Sequence, residues 1–235
     1  MSDAQAASWH GLMDVYERLP TGWTLIGGQM VHLHCAERGS FPPRPTDDID
    51  AVIDVRAEPL MLSRFTETLT TIGFAPDGIS GDGLQHRWRR DKAQLDVLLP
   101  DGIGERAASR TGVTGSPTLP TPGGTQALNR SEPVEITVEG RAGTILRPTL
   151  VGALIAKAAA HTSPGDSARQ RHRYDFATLA SLIAASDFRT ETLSAKDRRR
   201  LTGMISAGLA DVELTAAMPS AGEWMDRLGR AAHLD

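Results

Sequence analysis

Residues 25–55, LIGGQMVHLHCAERGSFPPRPTDDIDAVIDV, decide the fold of this 235-residue chain. An apolar strand, predicted over residues 23–26, stops at the pair Gly27-Gly28, and a helix is predicted over residues 29–37. A proline-rich loop then leads to a second strand, predicted over residues 49–55, in which apolar and acidic side chains alternate. Because a strand directs alternate side chains to one face, Asp48 and Asp50 project together.

These paired acids predict a metal site beside a phosphate site. Two carboxylates held so close repel each other unless a cation lies between them. The Gly27-Gly28 turn offers the complement, because backbone N–H groups at a helix entrance are open to a phosphate. For the pair of acids alone, a solvated strand end or a glycosyltransferase metal motif is the alternative interpretation.

Asp96 supplies a third acid. It lies within QLDVLL, residues 94–99, where a charge inside an apolar strand is costly unless it is paired or bound to metal. If this strand lies beside the first, three carboxylates converge on one edge and can bind two divalent cations. An exposed strand position is the alternative for this residue. The chemistry indicated by the three acids is in-line displacement at a nucleotide phosphorus.

The remaining elements follow from hydrophobic periodicity and turn residues. Helices are predicted over residues 6–19, 60–72, 150–160, 173–185 and 194–210, and further strands over residues 84–90, 93–99, 134–138 and 143–146. Residues 100–133 are rich in Gly, Pro, Ser and Thr, which predicts a long mobile connection or a lid. We therefore expect an α/β core over residues 1–147, including that flexible segment, and a helical C-terminal region over residues 148–235.

Composition excludes several classes of protein. The apolar windows are too short to cross a bilayer, no secretory signal is visible, and we expect a cytoplasmic protein without a membrane partner. Cys35 is the sole cysteine, which excludes an internal disulfide, and its spacing from His32 and His34 does not suit zinc. The net charge of −4 excludes a general polyanion clamp, so nucleic-acid contacts would need local patches. The candidates are three arginine clusters, at residues 87–90, 169–173 and 198–200.

Taken together, these motifs resemble the nucleotidyltransferase superfamily with the polymerase-β-like core. The matching residues are Gly27-Gly28, then Thr46-x-Asp48-x-Asp50, then Asp96. Within that superfamily the chain is similar to the AbiEii group, the toxin-like branch of bacterial abortive-infection and toxin–antitoxin systems. The further matches to this branch are Arg44 before Thr46, Lys157 in LIAKA, and Asp175 in RHRYDF. The resemblance implies a small mixed β-sheet with flanking helices, followed by a helical C-terminal region.

The resemblance also implies roles for the matching residues. Asp48 and Asp50 would ligate Mg²⁺, with Mn²⁺ as an alternative, and Asp96 would complete the site and orient or deprotonate the acceptor hydroxyl. Asp175 would hold Lys157 or a nearby arginine in place. The residues that would contact the NTP phosphates are Gly27, Gly28, Arg44, Thr46 and Lys157.

The function implied is transfer of NMP from an NTP to an acceptor hydroxyl. For the toxin-like branch the acceptor would be RNA, at the 3′ end of tRNA, and a cognate antitoxin would be the protein partner. Three alternatives stay open. They are a small-molecule nucleotidyltransferase acting on an antibiotic hydroxyl, a non-catalytic binding protein of the same fold, and a glycosyltransferase, against which the Gly27-Gly28 turn argues.

Overall fold

The computed structural model describes residues 1–42, 46–163 and 169–234. Its helices are α1 (Asp3–Arg18), α2 (Gly27–Glu37), α3 (Met61–Thr71), α4 (Glu105–Ala108), α5 (Gly124–Leu128), α6 (Leu150–His161), α7 (Arg169–Leu182), α8 (Ala195–Leu209), α9 (Val212–Ala217) and α10 (Ala221–Ala231), with a 3-10 turn at Ala185–Phe188. Its strands are β1 (Trp23–Ile26), β2 (Ile49–Ile53), β3 (Ala75–Pro76), β4 (Arg87–Arg90), β5 (Ala93–Pro100), β6 (Pro120–Thr121), β7 (Ser131–Val138) and β8 (Arg141–Pro148).

A mixed sheet in the order β1-β2-β5-β4-β3 forms the centre, and β6 adds to β5. Strands β2 and β5 are parallel, whereas β1–β2 and β4–β5 are antiparallel. The pairing of β2 with β5 places the two acidic segments side by side, which is the condition that the sequence analysis set for the three carboxylates to converge. Strands β7 and β8 form a separate hairpin. The predicted fold class, a mixed α/β sheet with flanking helices and a helical C-terminal region, is confirmed.

The core forms mainly on the face of the sheet that α1 and α3 cover. Helix α1 begins with a capping box, in which Ser2 and Gln5 satisfy each other's backbone N–H groups, and it buries Trp9 and Leu12. Helix α3 buries Phe65, whose ring packs edge-on against Trp23 of β1 at 5.9 Å between centroids. Burial of these aromatic rings fixes the sheet relative to both helices.

Residues 100–133 are more structured than their composition predicts. They carry the short helices α4 and α5 and the strand β6. Helix α5 covers the second face of the sheet, where Ala127 packs with Ile26, Val52 and Ala156 in a small apolar cluster. Val52, which alternation alone assigns to the polar side of β2, is therefore fully buried. Helix α5 is only five residues long and begins with glycine and threonine, so its sequence shows no helical periodicity.

The C-terminal region is helical from α6 onward, as expected. Helix α6 is buried along almost its whole length and packs against α7 and α8. The largest error in a predicted end is at α7, which begins at residue 169 rather than 173. Helices α9 and α10 have no counterpart in the predicted elements. They close the far side of the bundle by burying Leu214, Met225 and Leu228.

Candidate metal and nucleotide site

The three predicted acids lie together where β2 begins. Asp50 in β2 is directly opposite Asp96 in β5, and Asp48 immediately precedes β2. One carboxylate oxygen from each of the three residues lies within 4.8 Å of the others. Among the described residues, this is the one group of acidic, histidine or cysteine side chains that lie close enough together to hold a metal ion. The predicted convergence of the three carboxylates is therefore present.

The electrostatics of this cluster favour a cation. Burial, followed by the negative charges of Asp48 and Asp96, raises the pKa of Asp50 to about 7. The positive charges of Lys157 and Arg87 lower the same pKa, but their effect is smaller. Protein cations thus only partly neutralise the acids, and binding a proton or a metal ion supplies the remaining positive charge.

Asp96 differs from the other two acids because it has its own arginine. Arg87 of β4 donates from Nε to Oδ1 at 3.0 Å and from Nη2 to Oδ2 at 2.9 Å, a bidentate pair. Asp96 is 6% exposed, so this pairing also satisfies a buried charge. Sequence analysis assigned Arg87 only to a surface cluster. The hairpin register could have identified this pair, because a two-residue turn at Asp91-Lys92 places residue 87 opposite residue 96.

The glycine pair forms the first turn of α2, at the inner wall of the site. Gly27 has φ of +75°, and a Cβ there would overlap the Asp50 carboxylate, so both the conformation and the space require glycine. A Cβ on Gly28 would come within 2.7 Å of the Thr46 side chain. The N-cap residue of α2, Ile26, makes no side-chain capping hydrogen bond, and among the described residues no other side chain is seen to cap the helix, so its first backbone N–H groups can serve the site.

Thr46 anchors the loop that carries Asp48. Its hydroxyl donates to Asp48 Oδ1 at 2.8 Å, which orients the carboxylate. Its carbonyl accepts hydrogen bonds of 2.5 Å from the side chains of both Gln5 and Gln29. Neither glutamine was a predicted site residue, and nothing in the local pattern of α1 or α2 marks them. Arg44, the remaining predicted phosphate ligand of this loop, lies outside the described residues.

Lys157 and Asp175 form the opposite wall. Lys157 of α6 is 6% exposed and Asp175 of α7 is 2% exposed. The Lys157 Nζ donates to Asp175 Oδ2 at 2.7 Å, so the contact expected between them is present. Taken alone, Lys157 resembles a surface lysine on an alanine-rich helix, yet burial of an ammonium group is costly. A buried lysine does not stabilise helix α6, whereas a lysine beside the acids of the site has charged partners there.

These walls enclose a cleft of about 260 Å³. Gly27, Gly28, Asp48, Asp50 and Lys157 all line it. Thr121, Pro122 and Gly123, from the segment before α5, also line it and were not selected from the sequence, and Arg171 and His172 of the 169–173 cluster line it from α7. The cleft therefore combines an acidic wall, a glycine turn and a cationic wall.

The donor set fits magnesium. All three acids offer carboxylate oxygens, which Mg²⁺ prefers and Mn²⁺ also accepts. Cys35 is not a competing site. Burial, followed by the charge of Asp175, raises the pKa of its thiol to about 11, which disfavours the thiolate that metals bind.

The arginine clusters are mostly used within the protein. Arg87 pairs with Asp96, Arg89 with Asp77, Arg90 with Asp14, and Arg173 with Asp211. Arg198 donates to the carbonyls of Ala232 and His233. The arginines of the 87–90 cluster pair with acids on neighbouring elements, and their role as a nucleic-acid patch stays a prediction.

Comparisons with known proteins bear on the fold. No protein-family model matches the chain, and no curated protein matches it in sequence. The chain is similar to an antigenic nucleotidyltransferase-like protein from Paracoccidioides brasiliensis, with a TM-score of 0.54, 15% identity, and coverage of 96% of this chain and 94% of that one. The chain has a nucleotidyltransferase-like fold. The antibiotic-resistance factor ANT(2'')-Ia also matches, with a TM-score of 0.44, 12% identity, and coverage of 89% and 96% of the two chains.

The expectation about membranes can be checked directly. Throughout residues 1–42, 46–163 and 169–234, each helix is too short or too polar to cross a bilayer.

Proposed function

We propose that this chain is a metal-dependent nucleotidyltransferase that moves NMP from an NTP to an acceptor hydroxyl and releases pyrophosphate. One observation carries the proposal, the convergence of Asp48, Asp50 and Asp96 beside an uncapped glycine helix start and a buried lysine. A structural acid cluster would have its own cations, whereas this one leaves the pKa of Asp50 raised to about 7.

In this proposal Asp48 and Asp50 hold Mg²⁺ or Mn²⁺, and Asp96 completes the set. The bound cation supplies positive charge that offsets the negative charge developing at phosphorus. Arg87 keeps Asp96 oriented, so that the acid facing the acceptor hydroxyl has a fixed position. Thr46 orients Asp48 in the same way from the other side.

The phosphates would contact the opposite parts of the cleft. Backbone N–H groups at Gly27 and Gly28 would donate to phosphate oxygens, which can approach closely because neither residue has a Cβ. Lys157 would contribute a charge to the β/γ phosphates, and its hydrogen bond to Asp175 would hold the ammonium group in position. Arg44 remains a phosphate ligand in this proposal on the sequence resemblance alone.

For the acceptor we propose RNA, at the 3′ end of tRNA, with the chain acting as the toxin of a toxin–antitoxin or abortive-infection pair. This part rests on the sequence resemblance to the AbiEii group at Arg44, Lys157 and Asp175. A cognate antitoxin protein would then be its partner. Expression in bacteria should arrest growth, and co-expression of the adjacent gene product should relieve the arrest.

Transfer of label from an α-labelled NTP tests the chemistry. We expect Asp48→Ala and Lys157→Ala to abolish transfer while circular dichroism shows an unchanged fold. Asp82→Ala and Lys92→Ala are matched controls, because both residues are exposed and lie outside the cleft. Retained transfer in both site variants would refute the assignment.

The acceptor is tested by offering total tRNA and an aminoglycoside separately with each NTP and magnesium. Label in tRNA supports the RNA proposal. Label in the aminoglycoside alone would replace it with the small-molecule alternative. Failure of the purified protein to bind Mg-NTP in calorimetry would instead favour a non-catalytic binding protein.

A further inference from the structure

A second cleft adjoins the candidate site and has the opposite charge. It measures about 550 Å³, and we call it the basic groove. Lys196, Arg199 and Arg200 of α8 line one wall, and Ala159 and Thr162 of α6 line the other. Gly123 lines both this groove and the catalytic cleft, so the two cavities are neighbours.

Helix α6 connects the two cavities. Lys157 faces the catalytic cleft, and Thr162 lies five residues further along the same helix. At 1.5 Å per residue this separation is about 7.5 Å along the axis. Because Gly123 lines both cavities, a chain-like molecule with one end in the catalytic cleft can extend across Gly123 into the groove.

The cations of the groove do not serve the fold. Among the described residues, none forms a hydrogen bond or ion pair with the side chain of Lys196 or Arg199. Arg200 approaches Asp197 at only 3.9 Å. Lys196 lies in the first turn of α8, where the positive end of the helix dipole makes a cation slightly unfavourable. Asp101 is the one acidic residue among the described lining residues. Against it stand three cationic residues, so the lining has a net positive charge.

We propose that the basic groove binds the sugar–phosphate backbone of a nucleic-acid acceptor whose 3′ end enters the catalytic cleft. This inference rests on the proposed nucleotidyltransferase function and deepens it by giving the acceptor a path. A cationic antibiotic would be repelled by this lining, whereas a chain of phosphates is attracted to it. In this proposal the groove binds the charged backbone of the nucleic acid and does not distinguish between bases.

Binding of a labelled single-stranded RNA, measured by fluorescence anisotropy, tests the groove apart from catalysis. The variant is Lys196→Gln with Arg199→Gln. The matched control is Arg18→Gln with Arg56→Gln, which removes the same charge from two exposed arginines that have no side-chain partner among the described residues. We expect roughly tenfold weaker binding in the groove variant. The slope of log affinity against log salt should fall by about 1.4, since each single-strand phosphate contact contributes about 0.7.

Steady-state transfer to tRNA gives the second measurement. The groove variant should raise KM for tRNA about tenfold and leave KM for the NTP unchanged. A raised KM for the NTP instead would mean that the groove holds the triphosphate, and equal loss in the control would reduce the effect to net charge. Either result overturns the inference, and so does tight binding of polyglutamate, which would indicate an acidic protein partner.

The two proposals fail in different ways. If wild-type protein binds RNA through the groove but transfers no label, the proposed reaction is wrong and the groove stands. If label reaches tRNA equally in the wild type and the groove variant, the reaction stands and the groove is not the acceptor path.

Discussion

Two clusters of buried or partly buried acids in this protein have opposite electrostatics. In the helical region, Arg130 lies between Glu191 and Asp197, at 2.9 and 3.1 Å. Burial alone would raise the pKa of Asp197, but hydrogen bonds from Ser194 and the charge of Arg130 bring it below its ordinary value. In the candidate site, by contrast, no ion pair joins Asp50 to a cation among residues 1–42, 46–163 and 169–234, and its pKa is raised to about 7.

The difference distinguishes a structural cluster from a functional one. The Arg130 cluster contains the cation that its acids need, so it stabilises the fold without a ligand. Within the part of the chain that the structure describes, the triad of Asp48, Asp50 and Asp96 has an arginine partner only at Asp96. Mutual repulsion therefore remains in the folded protein until an external cation binds, which is the property expected of a metal site.

The largest effect on stability should come from breaking the satisfied cluster. Arg130→Met leaves Glu191 and Asp197 partly buried and unpaired, and we expect a loss of about 3 kcal/mol in the free energy of unfolding. Urea denaturation measures this loss. Arg56→Met, at an exposed position, is the control and should change stability by no more than about 0.5 kcal/mol. A small loss in Arg130→Met would show that the cluster is not structural.

Removing a charge from the triad should raise the stability of the metal-free protein instead of lowering it. Asp50→Asn removes a repelled carboxylate, so in metal-free buffer at neutral pH or above it should raise Tm. Each kcal/mol gained corresponds to roughly 2–4 °C in a chain of this size. Transfer activity should be lost at the same time. Asp82→Asn should leave Tm unchanged, and a lower Tm in Asp50→Asn would contradict the account.

The pH dependence of stability should show the same contrast more weakly. The pKa of Asp50 in the folded protein lies above that of an unfolded aspartate, so the folded state binds more protons between about pH 4 and pH 7. Metal-free stability should therefore fall as pH rises through this window and level off above it. Asp197, whose pKa is lowered, contributes no slope there, because its stabilisation is lost only at lower pH. Thermal melts with and without magnesium test this, since bound metal should reduce the slope.

The site was partly predictable because local patterns specify it. Alternation in β2 identifies Asp48 and Asp50, and the two-residue turn at Asp91-Lys92 fixes which residues face each other across the β4–β5 hairpin. That register pairs Arg87 with Asp96, so the arginine could have been found by extending the same argument. The parallel pairing of β2 with β5 was not predicted, because periodicity does not say which strands are neighbours.

The rest depends on contacts between distant segments. Gln5 and Gln29 meet at the carbonyl of Thr46, and no spacing in the sequence relates these three residues. The basic groove could not be predicted from the sequence for a different reason. The run at residues 198–200 was visible, but a helix directs successive residues to different sides. Arg198 turns toward α10, whereas Arg199 shares its face with Lys196, three residues before it.

Binding of Mn²⁺ followed by electron paramagnetic resonance, with Mg²⁺ as competitor, tests the central claim most directly. We predict that wild-type protein and Asp82→Asn bind Mn²⁺ in a form that Mg²⁺ displaces, and that Asp48→Asn and Asp50→Asn do not. Equal Mn²⁺ binding by the wild type and both triad variants would contradict the account, because the acids at the start of β2 would then not be the metal site.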